Sequence, residues 1–246
     1  MKYWAVAMGM VLLLGGCLKE DPRWPPVRSV EATFEPTWNG VPFEKSNVYL
    51  SAANERVLVQ QVKFYLSGIT LIGADGEVLL SAADLFDLVN GPVTREFEVP
   101  VGDYDSLRFG LGLPPELNHG DITAIDPAAP LGAAQGMYWT WATRYRFMIF
   151  DGRFDTVPDI TGTPPFQFSI HTGHDACYRE RTVAFPLHVT QRGTGTMVFE
   201  VDIARFFGDG GQLLDLSQGS QSHGALEELP IAFRLSDLAV RAINPD

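Results

Sequence analysis

The sequence predicts an all-β fold: a single antiparallel β-sandwich domain, Ig-like or jelly-roll-like, with short C-terminal helical segments. Three observations carry that expectation. Apolar and polar residues alternate at period two through most of the chain beyond residue 30. The alternating runs are separated by Gly, Pro and Asp-Gly punctuation at close spacing. Only residues 224–243 change to a helix-like recurrence, with Leu226, Leu229, Leu235, Leu238 and Ala242 in step and Pro230 dividing the stretch into two short pieces. A chain of 246 residues, 46% hydrophobic and 20% charged, can bury a sandwich core without disulfide staples.

The chain opens with Lys2, the short apolar core "WAVAMGMVLLL" and "LGGC" ending at Cys17. That core is too short to span a bilayer and reads as a secretory signal. Small residues before a cysteine resemble a bacterial lipobox, so residues 1–17 are expected to be a lipoprotein signal peptide and Cys17 the lipidated residue. Leu18 follows the cysteine, and the lipoprotein resemblance then implies a periplasmic protein anchored in the outer membrane. Residues 18–29, "LKEDPRWPPVRS", form a charged, Pro-containing tether. Residues 30–246 form the domain. Of the 2 cysteines, only Cys177 lies in that domain, so a buried, inert thiol is the expectation for it.

Within the domain, "VLVQQVKFYLSGITLI" places Leu58, Val62, Phe64 and Leu66 on one face of a strand. "ADGE" turns into a short strand at residues 78–80. "TREFEVP" and "SLRFGLGL" follow, the latter with Leu107, Phe109 and Leu111 inward. Residues 114–135 are rich in Pro, Gly and Ala and lack any period, which marks a long loop of the kind that carries function. "YWTWATRYRFMIFDG" then reads as one strong strand closed by an Asp-Gly turn. "PFQFSIHTG" places Phe166, Phe168 and Ile170 on one face, and "TVAFPLHVT" places Val183, Phe185, Leu187 and Val189 inward.

The function classes narrow by exclusion. A net charge of −12 with no basic run argues against nucleic acid as a partner. The sequence lacks G-x-S-x-G, H-E-x-x-H, P-loop and C-x-x-C-H signatures, and the Asp-Gly pairs at Asp75, Asp151 and Asp209 read as turns. Among the 5 histidines, His188 falls on the solvent face of its strand. His119 sits in the long loop, where it is either decoration or a ligand. His223 sits at the start of the helical tail, where a cap is the plain reading. His171, His174 and Cys177 form an H-x-x-H-x-x-C spacing whose donors suit copper or zinc. His171 ends its strand on the face opposite Phe168 and Ile170, at the sheet rim.

Alternation also aligns Met137, Trp139, Trp141, Thr143, Tyr145 and Phe147 on one face, with Arg144 and Arg146 on the other. An aromatic core face explains this pattern. Trp139 and Trp141, however, begin the strand just after the long loop, within reach of a site at the rim.

The segments "VKFYLSGITLIGADG", "GMYWTWATRYRFMIFDG", "FSIHTG" and "SHGALEELPIAF" fall in the order seen in MbnP-like proteins, and from about residue 30 onward the chain resembles that family. The resemblance implies a β-sandwich that binds copper, as Cu(I), and is no enzyme itself. It implies a partner di-haem c-type peroxidase of the MauG/MbnH kind that oxidises a tryptophan to kynurenine. Carried onto this sequence, the tryptophan is Trp139 or Trp141, and the metal histidines are His171 and His223, with His119 and His174 as further candidates. Two other classes stay open on the residues alone. One is a carbohydrate- or protein-binding sandwich with an aromatic platform, and the other is a hydrolase with an unrecognised site.

Overall fold

The computed structural model describes residues 26–140, 144–192 and 195–246. The signal segment with Cys17, most of the tether, and Trp141 lie outside the described residues.

The smaller of the two main sheets has five strands built around Val27–Trp38. That strand pairs in parallel with Thr196–Asp202 along one edge and antiparallel with Val93–Pro100 and Val41–Pro42 along the other. Ile243–Pro245 adds beyond Thr196–Asp202. The larger sheet has eight strands. Its order is Arg179–Val189, Gly102–Leu111, Arg56–Gly73, Met148–Asp155, Phe166–Thr172, Gln221–Ser222, with Gly76–Asp87 and Tyr49–Leu50 also paired to Arg56–Gly73. The architecture is therefore the expected all-β sandwich with a short C-terminal helix. Two pairings depart from the antiparallel expectation, Val27–Trp38 with Thr196–Asp202 and Phe166–Thr172 with Gln221–Ser222. Parallel partners need a long crossover, and in each case a long stretch of chain separates the two strands.

The facing sides of the sheets make one continuous core. Phe64, Phe109, Phe150, Phe168 and Phe199 are all buried there, and Val183, Phe185, Leu187 and Val189 point inward as alternation requires. Along these core strands the phase is correct except where a bulge intervenes. Gln61 pairs with Asp151 and Val59 with Gly152, so Gln60 is an extra residue in its strand. Beyond it the alternation inverts: Val57 and Val59 turn inward, and Leu58, expected inside, does not.

The same bulge corrects a second expectation. Asp151-Gly152 is no turn, because both residues lie inside Met148–Asp155. A side chain at Gly152 would run into the Leu58 carbonyl at 2.4 Å, so glycine lets the two strands close over the bulge. Asp75 and Asp209 do sit at hairpin turns.

The aromatic stretch is not one strand either. It forms a small hairpin, Tyr138–Trp139 with Arg144–Tyr145, and then Met148–Asp155 in the large sheet. Trp139 pairs with Arg144 and Tyr138 with Tyr145, so Trp139 lies on the face opposite Tyr145 and not beside it as a single strand would require. At the C-terminus, Pro230 opens a helix, Leu229–Ala242, where its missing N–H has no intrahelical bond to lose. A 3-10 turn, Leu226–Glu228, precedes it. Leu235, Leu238 and Ala242 are buried as expected, but Leu226 is 72% exposed.

The long loop creates a second, smaller core on the outward face of the large sheet. Leu113, Met137, Tyr145 and Phe147 from the loop region meet Tyr65, Leu85 and Ile149 from the strands beneath. Gly112, at φ 94, brings Phe147 against its backbone so closely that a Cβ there would lie 2.6 Å from the ring. Two buried tyrosines tie down loop carbonyls: the Tyr65 hydroxyl donates to Pro130 at 2.9 Å and that of Tyr145 to Leu131 at 2.7 Å.

Candidate metal centre

The candidate site lies where this second layer meets the edge of the large sheet. Asp151 and Ser169 are cross-strand partners, and His171 follows two residues on, so all three share the outward face. The parallel pairing of Ile170 with Ser222 brings His223, the next residue, alongside His171. The Ser222 hydroxyl donates to the His171 carbonyl at 3.2 Å, and the Glu228 carboxylate accepts from the His223 N–H at 2.6 Å. These bonds hold the two histidine backbones in register.

The side chains converge. The imidazole rings of His171 and His223 lie 4.9 Å apart and almost perpendicular, at 83°. The Ser169 hydroxyl stands between them, 3.3 Å from Nε2 of His171 and 3.0 Å from Nε2 of His223. Asp151 Oδ1 lies 2.9 Å from Nε2 of His171. A carboxylate only accepts, so this contact puts the His171 proton on Nε2 and leaves the lone pair on Nδ1. That Nδ1 is buried and meets no hydrogen-bond partner among the described residues. Burial, and then the neighbouring His171, lower the pKa of His223, which favours the neutral ring with a free lone pair.

Trp139 leans over this pair, with its ring 5.4 Å from that of His171 and 6.3 Å from that of His223. The hairpin positions it. The N–H of Arg146 donates to the Met137 carbonyl at 2.7 Å, and that of Phe147 donates to Thr172 at 2.7 Å, joining the hairpin to the strand that carries His171. The Arg146 guanidinium lies over the Trp139 ring at 5.0 Å.

The structure thus brings together three of the residues singled out from sequence: Trp139, His171 and His223. It places the others apart from that set. His119 pairs with Asp175 at 2.9 Å and is 56% exposed, and the ring of His174 donates to the Gly224 carbonyl at 3.1 Å. Cys177 is a buried free thiol, its pKa raised by burial. Trp141 lies outside the described residues. Among the described residues, no group of three or more His, Cys, Asp or Glu side chains is arranged to hold a metal ion, so the H-x-x-H-x-x-C spacing does not gather its donors.

What converges is a pair of imidazoles, one with a buried nitrogen unpartnered among the described residues, beside an aromatic ring. Two imidazole nitrogens suit a low-coordinate copper ion and, among the described residues, leave the third position to something other than a further His, Cys or carboxylate. Sequence reasoning missed Asp151, Ser169 and Arg146. Asp151 was hidden by its Asp-Gly pair, whereas the i, i+2 spacing of Ser169 and His171 on one strand face was a usable signal.

Comparison with curated proteins yields no match. Among solved structures the chain is similar to MbnP from Methylosinus trichosporium, with 17% identity, 81% of this chain and 82% of that chain covered, and a TM-score of 0.48. The MbnP family model matches residues 27–224, a span that takes in Trp139, Asp151, Ser169, His171 and His223, and the chain belongs to the MbnP family.

Proposed function

We propose that this protein is a periplasmic, lipid-anchored copper carrier. His171 and His223 hold Cu(I), and Trp139 supplies a third donor after oxidation to kynurenine. The observation that carries the reading is the close, perpendicular pair of imidazoles beside the Trp139 ring. Asp151 orients His171 as carboxylates commonly orient metal-binding histidines. Cysteine-linked lipid at Cys17 would hold the domain at the outer membrane.

Indole is a poor ligand, so the oxidation has a chemical purpose. A partner di-haem peroxidase, using hydrogen peroxide as oxidant, breaks the C2–C3 bond of Trp139 and places one oxygen on each carbon. Two peroxides are reduced to water in the process. Hydrolysis then releases C2 as formate and leaves an aryl amine and a ketone, both of which can donate to a metal. The protein is here the substrate of the peroxidase and the holder of the ion rather than a catalyst. The reading of the ring as an open platform for sugars is less favoured, because Trp139 is half-buried and already engaged by Arg146 and His171.

Metal analysis of protein made in its native periplasm tests the proposal. His171→Ala and His223→Ala should each lose stoichiometric copper while circular dichroism shows the sandwich intact. Peptide mass mapping should find the conversion at Trp139. Copper content unchanged in both variants would sink the metal site, and unmodified Trp139 in copper-loaded protein would sink the kynurenine donor.

A further inference from the structure

We propose that Arg146 sets the redox preference of this site: its guanidinium, fixed over Trp139, disfavours any species that adds positive charge there, whether an indole radical cation or divalent copper. The contact is a built one. The guanidinium carbon lies 5.0 Å from the ring centroid. The Arg146 backbone is held by Met137, and its Nη2 donates to the carbonyl of Gly136, a residue at φ 68 that ends a 3-10 turn and aims that carbonyl. Its Nε is buried with no hydrogen-bond partner among the described residues. A guanidinium does not lose its proton in proteins, so the charge is permanent. The carboxylate that acts on it electrostatically, Asp151, is shared with His171.

A cation over a neutral indole is attracted by the ring's electron density. When the ring gives up one electron, that attraction becomes repulsion. Arg146 therefore raises the potential at which Trp139 is oxidised and protects it from stray one-electron oxidants, leaving it to a strong one. The same charge penalises Cu(II) more than Cu(I) at the adjacent imidazoles. The second consequence rests on the copper reading above, whereas the first does not.

The test uses the full chain with Arg146→Gln, or Arg146→Met if that variant fails to fold, beside Arg146→Lys, which keeps the charge. A ruthenium(III) polypyridyl complex, generated photochemically, takes one electron from the indole and becomes ruthenium(II), and the radical cation loses its N1 proton to water. A second ruthenium(III) takes a further electron as water adds to the ring and releases a proton, which leaves a stable hydroxylated indole. Peptide mass spectrometry then reads oxidation at Trp139 relative to Trp38, a buried indole stacked on Tyr49. The neutral variant should raise that ratio on the order of tenfold, and Arg146→Lys should stay within about twofold of the wild type. An unchanged ratio in the neutral variant would overturn the inference. So would Arg146→Lys matching the neutral variant, which would mean that Arg146 only shields the ring. In copper-loaded protein the neutral variant should lower the metal potential by about 60 mV, the same tenfold change for a one-electron couple. An unchanged potential overturns the metal half. A wild type that takes up no copper defeats the copper reading and leaves the indole result to stand or fall alone.

Discussion

The two faces of the large sheet solve the problem of burial differently. The inward face meets the small sheet through side chains that alternate along every strand, and its interior is apolar throughout. Where carboxylates are buried at the ends of the sandwich, backbone N–H groups meet them. Glu55 accepts from Leu216 and Ser217 at 3.2 and 3.0 Å, and Asp202 from Asn39 and Ala204 at 2.9 and 3.1 Å. The outward face is covered by a loop, so its polar groups are satisfied piecemeal, and one of them, His171 Nδ1, is left unmet among the described residues. A packed sandwich leaves little room for an unsatisfied nitrogen, because each costs about 1–3 kcal/mol. The candidate site stands where loop meets sheet edge, with His171 and His223 turned toward Ser169 through their Nε2 atoms.

The strongest way to break this division is in the inner core. Phe150 is fully buried against Phe168, Phe206 and Phe207 and is the inward neighbour of Asp151. Phe150→Ala should destabilise the fold by about 3–5 kcal/mol, read from urea midpoints. If the inner face carries the fold, copper should be lost only as the variant unfolds. Loss of under about 1 kcal/mol would mean that the inner face is not the stabilising one.

The same division explains what could be read from the sequence. Inward residues obey period two, so Phe109, Phe168, Ile170 and the run from Val183 to Val189 were legible without a structure. Leu58 was not, because one extra residue at Gln60 inverts the phase and composition does not announce a bulge. Asp151 was lost to the same bulge, since Asp-Gly more often marks a turn. His171 was legible as a rim residue because it ends a clean alternating strand. Its pairing with His223 came only from the family resemblance and not from periodicity, since the two are brought together by a two-residue parallel pairing across a long separation. Trp139 did not fall on the predicted face: the hairpin pairs it with Arg144 and pairs Tyr138 with Tyr145, so the turn between the two strands breaks the alternation that a single strand would have kept.

A milder intervention separates the outer layer from the inner one. Asn118 is buried in the long loop. Its carbonyl oxygen accepts from the Tyr145 N–H at 3.2 Å, and its amide donates to Asp175 at 2.7 Å. Asn118→Ala leaves those groups unmet and should cost about 1–3 kcal/mol. Because the bonds join loop to hairpin, hydrogen exchange should quicken at Tyr145 and Arg146 and stay unchanged at Phe64 and Phe150. Equal acceleration in both places would show that the two layers open as one unit.

The smallest effect probes the buried carboxylates of the sandwich itself. Glu55 has its pKa raised, chiefly by desolvation and further by nearby Asp215, against the lowering effect of its bonds to Leu216 and Ser217. A carboxyl whose folded pKa exceeds its unfolded value binds its proton more tightly in the native state. Its contribution to stability is therefore fully present below the unfolded pKa and is lost as pH rises through the folded one. For Glu55 that window begins in the ordinary glutamate range and extends just above it. Glu55→Gln cannot ionise, so the fall in urea midpoint across that window should be shallower than in the wild type. The two midpoint profiles should diverge only there. Parallel profiles would mean that the backbone bonds from Leu216 and Ser217 fully offset the desolvation of Glu55. The sandwich would then bury this carboxylate at no cost, in contrast to the outer face with its unmet nitrogen.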